Sequence, residues 1–195
     1  MKQIVLSLIG IIFASFVSAQ KITHPALLYT PQRIQQVKQR MQNEKKLQEA
    51  WEDIAKTADE ALQKKDFNRL DYLSLAYLMT DNKDYADVIK EILLKAVEAA
   101  SWGDMEMMAR IPAWRSQLGM AHKSFLSAIG YDAAYNVMSS SERKKIAEGL
   151  KRLAVEPALG DWLLEPTRIH SLNSMGHNWW TSCVCQGGIL ALSLQ

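Results

Sequence analysis

The string His170-Ser-Leu-Asn173-Ser-Met-Gly176-His177-Asn178-Trp179-Trp180 gathers imidazole, carboxamide and indole side chains in one short stretch. The chain around it is uncharged, with no Asp, Glu, Lys or Arg in residues 169–195. An imidazole has a reference pKa of about 6.5 and apolar neighbours favour its neutral form, so a ring set here is available as a base at neutral pH. His177 is the candidate proton acceptor, and Asn173 or Asn178 is its candidate amide partner. A helix beginning near Asn173 places Asn173, His177, Trp180 and Val184 at i, i+4, i+7 and i+11 on one face. A helix capped by Asn178 instead leaves His177 in the entering loop, beside free backbone N–H groups that favour an anionic ligand. The same residues also fit a hydrogen-bonded core histidine with a capping Asn and two packing indoles.

Other chemistries find less support. The four histidines, His24, His122, His170 and His177, show no His-x-x-x-His spacing, so neither a metal nor another cofactor is expected. Cys183 and Cys185 are one residue apart on a helical segment and point in different directions, which disfavours a disulfide between them and suits small buried side chains. Glycoside hydrolysis needs two carboxyl groups flanking the scissile bond. Asp161 and Glu165 are the only acids near the Trp-rich region, and none lies in the string around His177. The 23 basic and 21 acidic residues nearly balance, which gives no reason to expect a nucleic-acid partner.

The elements that must position these groups read as helices. Met1-Lys2, the apolar run Ile4 to Phe16 and the small residues Val17-Ser18-Ala19 form a secretory leader, with cleavage predicted after Ala19. Its apolar core is short for a bilayer and Gln20, not Cys, follows, so a periplasmic or secreted chain without stable membrane insertion is expected. Residues 20–195 are then one domain, 48% of the whole sequence being hydrophobic. Thr30-Pro31 opens a first helix, Lys45 to about Gln63 forms a second, and LDYLSLAYLM at 70–79 is apolar on nearly every side, as in a helix enclosed by neighbours. After Asp81-Asn82 an amphipathic stripe returns, from Tyr85 to Val97. A long connection rich in Met and Trp follows, from Ser101 to Trp114, and then a second mostly apolar helix over about 117–137. Ser139-x-x-Glu142 is a capping box opening a charged helix through Leu153, after which Pro157, Gly160 and Pro166 predict irregular chain. A last apolar helix starts between Ser174 and Trp179. Alternating amphipathic and enclosed helices predict an all-α protein of layered antiparallel hairpins, arranged as a ring, an open bundle or a solenoid. The stretch Ile189 to Gln195 has no helix-stop signal, so the natural chain is expected to continue.

The segment HNWWTSCVCQGGILALSL (177–194) resembles the histidine-bearing helix of heparinase II/III-like polysaccharide lyases, where an Asn-His-Asn-Trp string precedes a small-residue helix. His24-Pro-Ala-Leu-Leu-Tyr-Thr-Pro31 resembles the opening of that family, LAYLMTDNKDYADVIKEIL (75–93) its early hairpin, and GYDAAYNVMSSSERKKIAEGL (130–150) its middle hairpin. The resemblance spans most of residues 24–195 and implies an incomplete (α/α) toroid, completed in the whole protein together with a β-sandwich domain.

It also implies a reaction and a partner, β-elimination from an acidic, uronic-acid-containing polysaccharide. A base takes the proton beside the carboxylate while an acid assists the departing glycosidic oxygen. Because a dianionic enediolate develops, the carboxylate must be neutralised by an amide or imidazolium. On that basis His177 serves as base or carboxylate contact, and Asn178 or Asn173 as the amide. Gly176 departs from the family's pattern, which often has Asn before the histidine. The family's tyrosine acid and second histidine would lie beyond Gln195. Trp162, Trp179 and Trp180 would be platforms for sugar rings, with at least one of the adjacent pair in the core. Arg115 would fork onto a uronate or sulfate, or pair with a protein carboxylate. His24 and His122 read as structural. The alternatives to a lyase are a hydrolase on a similar helical ring and a non-catalytic glycan-binding protein, the latter favoured by Gly176.

Overall fold

The computed structural model describes residues 22–164, 168–169 and 178–195. The expected leader 1–19 lies outside the described residues, as do Glu165, His170, Asn173, Gly176 and His177. All regular structure among the described residues is helical: α1 (Pro31–Met41), α2 (Lys45–Lys64), α3 (Leu70–Thr80), α4 (Lys83–Ala96), the short α5 (Met105–Met108), α6 (Leu118–Ala134), α7 (Ser140–Leu150), α8 (Glu156–Trp162) and α9 (Asn178–Ser193). None of these helices is long and apolar enough to cross a membrane.

Local chemistry sets the boundaries. The Thr30 hydroxyl accepts from Arg33 N–H ahead of Pro31, and Ser139 with Glu142 forms the reciprocal capping box that opens α7. Tight turns join α2 to α3 and α3 to α4, with Lys65 and Asp81 in the left-handed region at the two helix ends (φ 51° and 60°). The core is built mainly from α3 and α6 against α2, α4 and α7. Leu70, Leu73, Ile89, Leu93, Met120, Ile146 and Leu150 are all fully enclosed, each contributing about 1.5–3 kcal/mol by leaving water.

Three helices run in one direction. Ala121 near the start of α6 and Cys183 near the start of α9 share a cluster with Trp162, while at the far ends His24 bridges Asp132 and the Gln195 carbonyl. Phe67, just before α3, lies edge-on to Trp102, above which Lys123 of α6 extends, whereas Leu70, the first residue of α3, packs against Gly130 in the second half of α6. The starts of α6 and α9 therefore gather at one end of the molecule, and α3 begins further along α6.

One expectation needs correction. Pro157 does not end the helical path: α7 runs through a π-helical turn (Lys151–Val155) into α8, and Glu156 N–H bonds Lys151 O five residues back. A proline ring clashes with the carbonyl four residues before it, and the widened turn accommodates Pro157 without breaking the helix. The last helix, α9, is partly enclosed. It buries one stripe, Cys183, Gly187, Leu190 and Ser193, against α6 and α8, and leaves Leu192 53% exposed.

Close approach of α7 to the end of α4 depends on Gly149, where an added Cβ would stand 2.3 Å from Val97 Cβ. Gly149→Ala is expected to lower stability by about 1–3 kcal/mol through overpacking. Gly188→Ala, with no atom within 4 Å of the added carbon, should leave stability unchanged or raise it by up to about 1 kcal/mol. Urea unfolding of the two variants checks this, and equal effects would contradict the packing described.

Candidate functional site

The end of the molecule where α6 and α9 begin carries the groups singled out in the sequence that fall within the described residues. The connection from Ser101 to Gln117 folds over it. Trp114 N–H bonds Met107 O at 3.0 Å, and Gly103 packs so closely on Met108 and the Arg115 carbonyl that a Cβ would sit 2.9 Å from the Met108 side chain. This compact loop delivers Trp114 and Arg115 to the start of α9. Asn178, the first residue of α9, is exposed there. Trp179 is half-buried, its ring edge-on to Trp114 with centroids 6.2 Å apart, and the Arg110 guanidinium covers Trp114 at 4.7 Å. Trp180 is also half-buried, against the cluster of Ala121, Trp162 and Cys183.

A buried carboxylate organises this end. Asp161, 1% exposed, accepts from the Arg115 and Ser116 backbone N–H groups at 2.6 and 2.7 Å and from Arg115 Nε and Nη2 at 2.8 and 2.6 Å. Four donors satisfy a charge whose burial would otherwise be prohibitive. They also fix the chain just before α6. Beside them the Trp162 indole donates to Ser116 Oγ at 3.0 Å.

These contacts separate the expected site residues. Asn178, Trp179, Trp180 and Arg115 lie near the common end, whereas Asn173 and His177 are outside the described residues. Trp162 is 1% exposed and its indole N–H is spent on Ser116, so it has no free face for a sugar ring and is a core residue. The Nε–Nη2 edge of Arg115 is likewise occupied by Asp161, which leaves Nη1 as its remaining donor edge. The fork to a uronate is replaced by the protein-carboxylate pairing. Asp161, enclosed and saturated with N–H donors, is not placed to protonate a glycosidic oxygen. Far from this end, His24 is buried with Nδ1 2.6 Å from Asp132 Oδ1 and its ring stacked on Tyr135 at 3.9 Å. His122, by contrast, is exposed on the outer side of α6, next to the enclosed Met120 and Ala121.

Among the described residues no group of His, Cys, Asp and Glu is arranged to hold a metal. Cys183 and Cys185 are both free thiols. Burial pushes the Cys183 thiol up to about 11, assisted by the Asp161 charge and opposed by hydrogen bonds to Ser116 and Trp162. Comparison of the chain with protein-family models and with curated proteins finds no match.

Asp161→Ala should cost about 3–5 kcal/mol because it strands a guanidinium and two amides, and Arg115→Ala about 1–3 kcal/mol; denaturant titration reads both, and the reverse order would contradict Asp161 as the organising group. A maleimide should label exposed Cys185 in the native protein and reach Cys183 only on unfolding, since about one thiol in a thousand is ionised at pH 8 when its pKa is near 11. The raised folded-state pKa means that the Cys183 contribution to stability is complete below its ordinary value of 9.0 and is lost as pH rises to about 11.

Proposed function

We propose that the protein is an exported polysaccharide lyase of the heparinase II/III-like type, its layered hairpins forming part of an (α/α) toroid. The observation that carries this reading is the composition of one end of the molecule. His177 directly precedes Asn178, the exposed first residue of an uncharged helix, next to two half-buried indoles and the Arg110 and Arg115 guanidinium groups. Removal of a proton next to a carboxylate needs a base together with an amide or cations, the groups that this string and this end of the molecule carry. His177 takes that proton, or contacts the carboxylate, and Asn178 or Asn173 offsets the second charge of the enediolate. The electron pair of the broken C–H bond forms the new C=C bond as the glycosidic C–O bond breaks and its oxygen leaves with a proton from an acid. Trp179, edge-on to Trp114, offers part of an apolar surface for a pyranose ring. A glycan-binding protein without chemistry is the second reading, favoured by Gly176 at the position where the lyases often carry Asn. Engagement of Asp161 by four N–H groups weakens the hydrolase alternative.

Full-length protein incubated with uronic-acid polysaccharides is expected to release products that absorb near the ultraviolet edge through the new C=C bond. His177→Ala should reduce this rate by at least about 10²–10⁴-fold. Reducing ends appearing without that absorbance would assign hydrolysis, and binding without cleavage would assign the glycan-binding role.

A further inference from the structure

On another side of the same end lies a cleft of about 580 Å³ between the C-terminal ends of α2 and α4 and the second turn of α6. Its volume falls within the range of about 300–1,000 Å³ usual for ligand sites. Phe67, Ile92, Ala96 and Trp102 give it an apolar lining, and four ammonium groups, Lys64, Lys65, Lys95 and Lys123, stand around it. Lys64 pairs with Glu60 and Lys65 with Glu91, which leaves Lys95 and Lys123 as a local excess of positive charge in a chain whose totals nearly cancel.

Helix ends explain part of it, since Lys64, Lys65 and Lys95 complement the negative ends of α2 and α4. That argument does not reach Lys123, which sits near the beginning of α6. The Lys123 ammonium extends over the Trp102 ring at 6.0 Å, and no carboxylate among the described residues pairs with it or with Lys95. Lys65 pairs with Glu91 but occupies a left-handed backbone position, φ 51°, that glycine adopts without steric cost. The wall carrying Lys95 is held firmly. The Arg152 guanidinium donates to the carbonyls of Val97, Ala99 and Ala100 at 2.9–3.0 Å, satisfying groups at and beyond the end of α4.

We propose that this cleft is a binding subsite for an anionic oligosaccharide, distinct from the His177 end of α9. Uronate rings present a C–H face to the apolar lining and carboxylates to the lysines. Inorganic phosphate has no apolar face to use the lining. Nucleobases need open aromatic faces, whereas Trp102 is 6% exposed. The 101–117 loop joins the two places, with Trp102 at the lysine cleft and Trp114 at α9, so one polymer chain laid across this end reaches both. The inference rests on the lyase reading for the identity of the polymer, but the binding itself does not require cleavage.

The test is calorimetric titration of the full-length protein with unsulfated uronate hexasaccharides of the alginate, chondroitin and heparan backbones, each beside its carboxyl-reduced neutral form. At least one acidic hexasaccharide should bind with an affinity that falls as salt rises, and its neutral form should not bind. Lys95→Gln with Lys123→Gln should weaken binding by about tenfold or more. Lys65→Gly should weaken it too while leaving the melting temperature unchanged or higher, which separates loss of charge from loss of fold. Binding to none of the acidic sugars, equal binding of the neutral forms, or affinities indifferent to all three lysines would overturn the subsite. Lysine-dependent binding without any elimination would sink the lyase reading alone. Elimination with a KM unchanged in these variants would sink the subsite alone.

Discussion

A carboxylate taken out of water must be surrounded by donors, and this requirement organises both ends of the central helix. Asp161 gathers two backbone amides and the Arg115 side chain immediately before α6 begins. Asp132, near the other end of α6, accepts from the Ala26 and Leu27 amides and from His24, so the amino-terminal segment is laid across that end. Neither carboxylate has room to move, because each bond it would lose leaves a buried group unpaired. The apolar core supplies the larger share of stability, but these two sites decide where the irregular segments attach to it.

The attachment at Asp161 has the greater consequence for function. It fixes the direction in which the 101–117 loop arrives at α6, and the loop in turn sets Trp114 against Trp179 and Trp102 against Lys123. The tryptophans are thereby divided between core and surface. Trp162 is consumed by the core beside Asp161, whereas Trp114, Trp179 and Trp180 keep part of their surfaces outside. The Arg115 guanidinium similarly serves structure along its Nε–Nη2 edge and retains one donor edge toward the common end. A functional surface assembled this way is stiff, because its outer groups are backed by groups already committed to hydrogen bonds.

Much of the fold was legible in sequence because it follows from local chemistry. Thr30-Pro31, Asp81-Asn82 and the Ser139–Glu142 box each specify a boundary within a few residues, and the apolar run at 70–79 is enclosed in the fold as its composition predicts. Pro157 misled for the converse reason, since a π turn upstream absorbs the clash that normally ends a helix. At the site, the Arg115–carboxylate pairing was among the readings open from sequence, but its partner, 46 residues away, was not identifiable. The lysine cleft left no sequence signal, because its cations come from three separate segments.

The sequence by itself determined most of the helical segments, which of them are apolar, and where an uncharged His-Asn-Trp string precedes the last helix, since periodicity, capping and composition act over a few turns. Only the tertiary structure decided that Asp161 fills the Arg115 fork, that Trp162 is interior while Trp179 meets Trp114, and that lysines from three distant segments share one cleft. The physical reason is range. Backbone propensities and side-chain periodicity are settled between near neighbours, whereas the pairing of charges and the exposure of a ring depend on which surfaces the packed helices bring together.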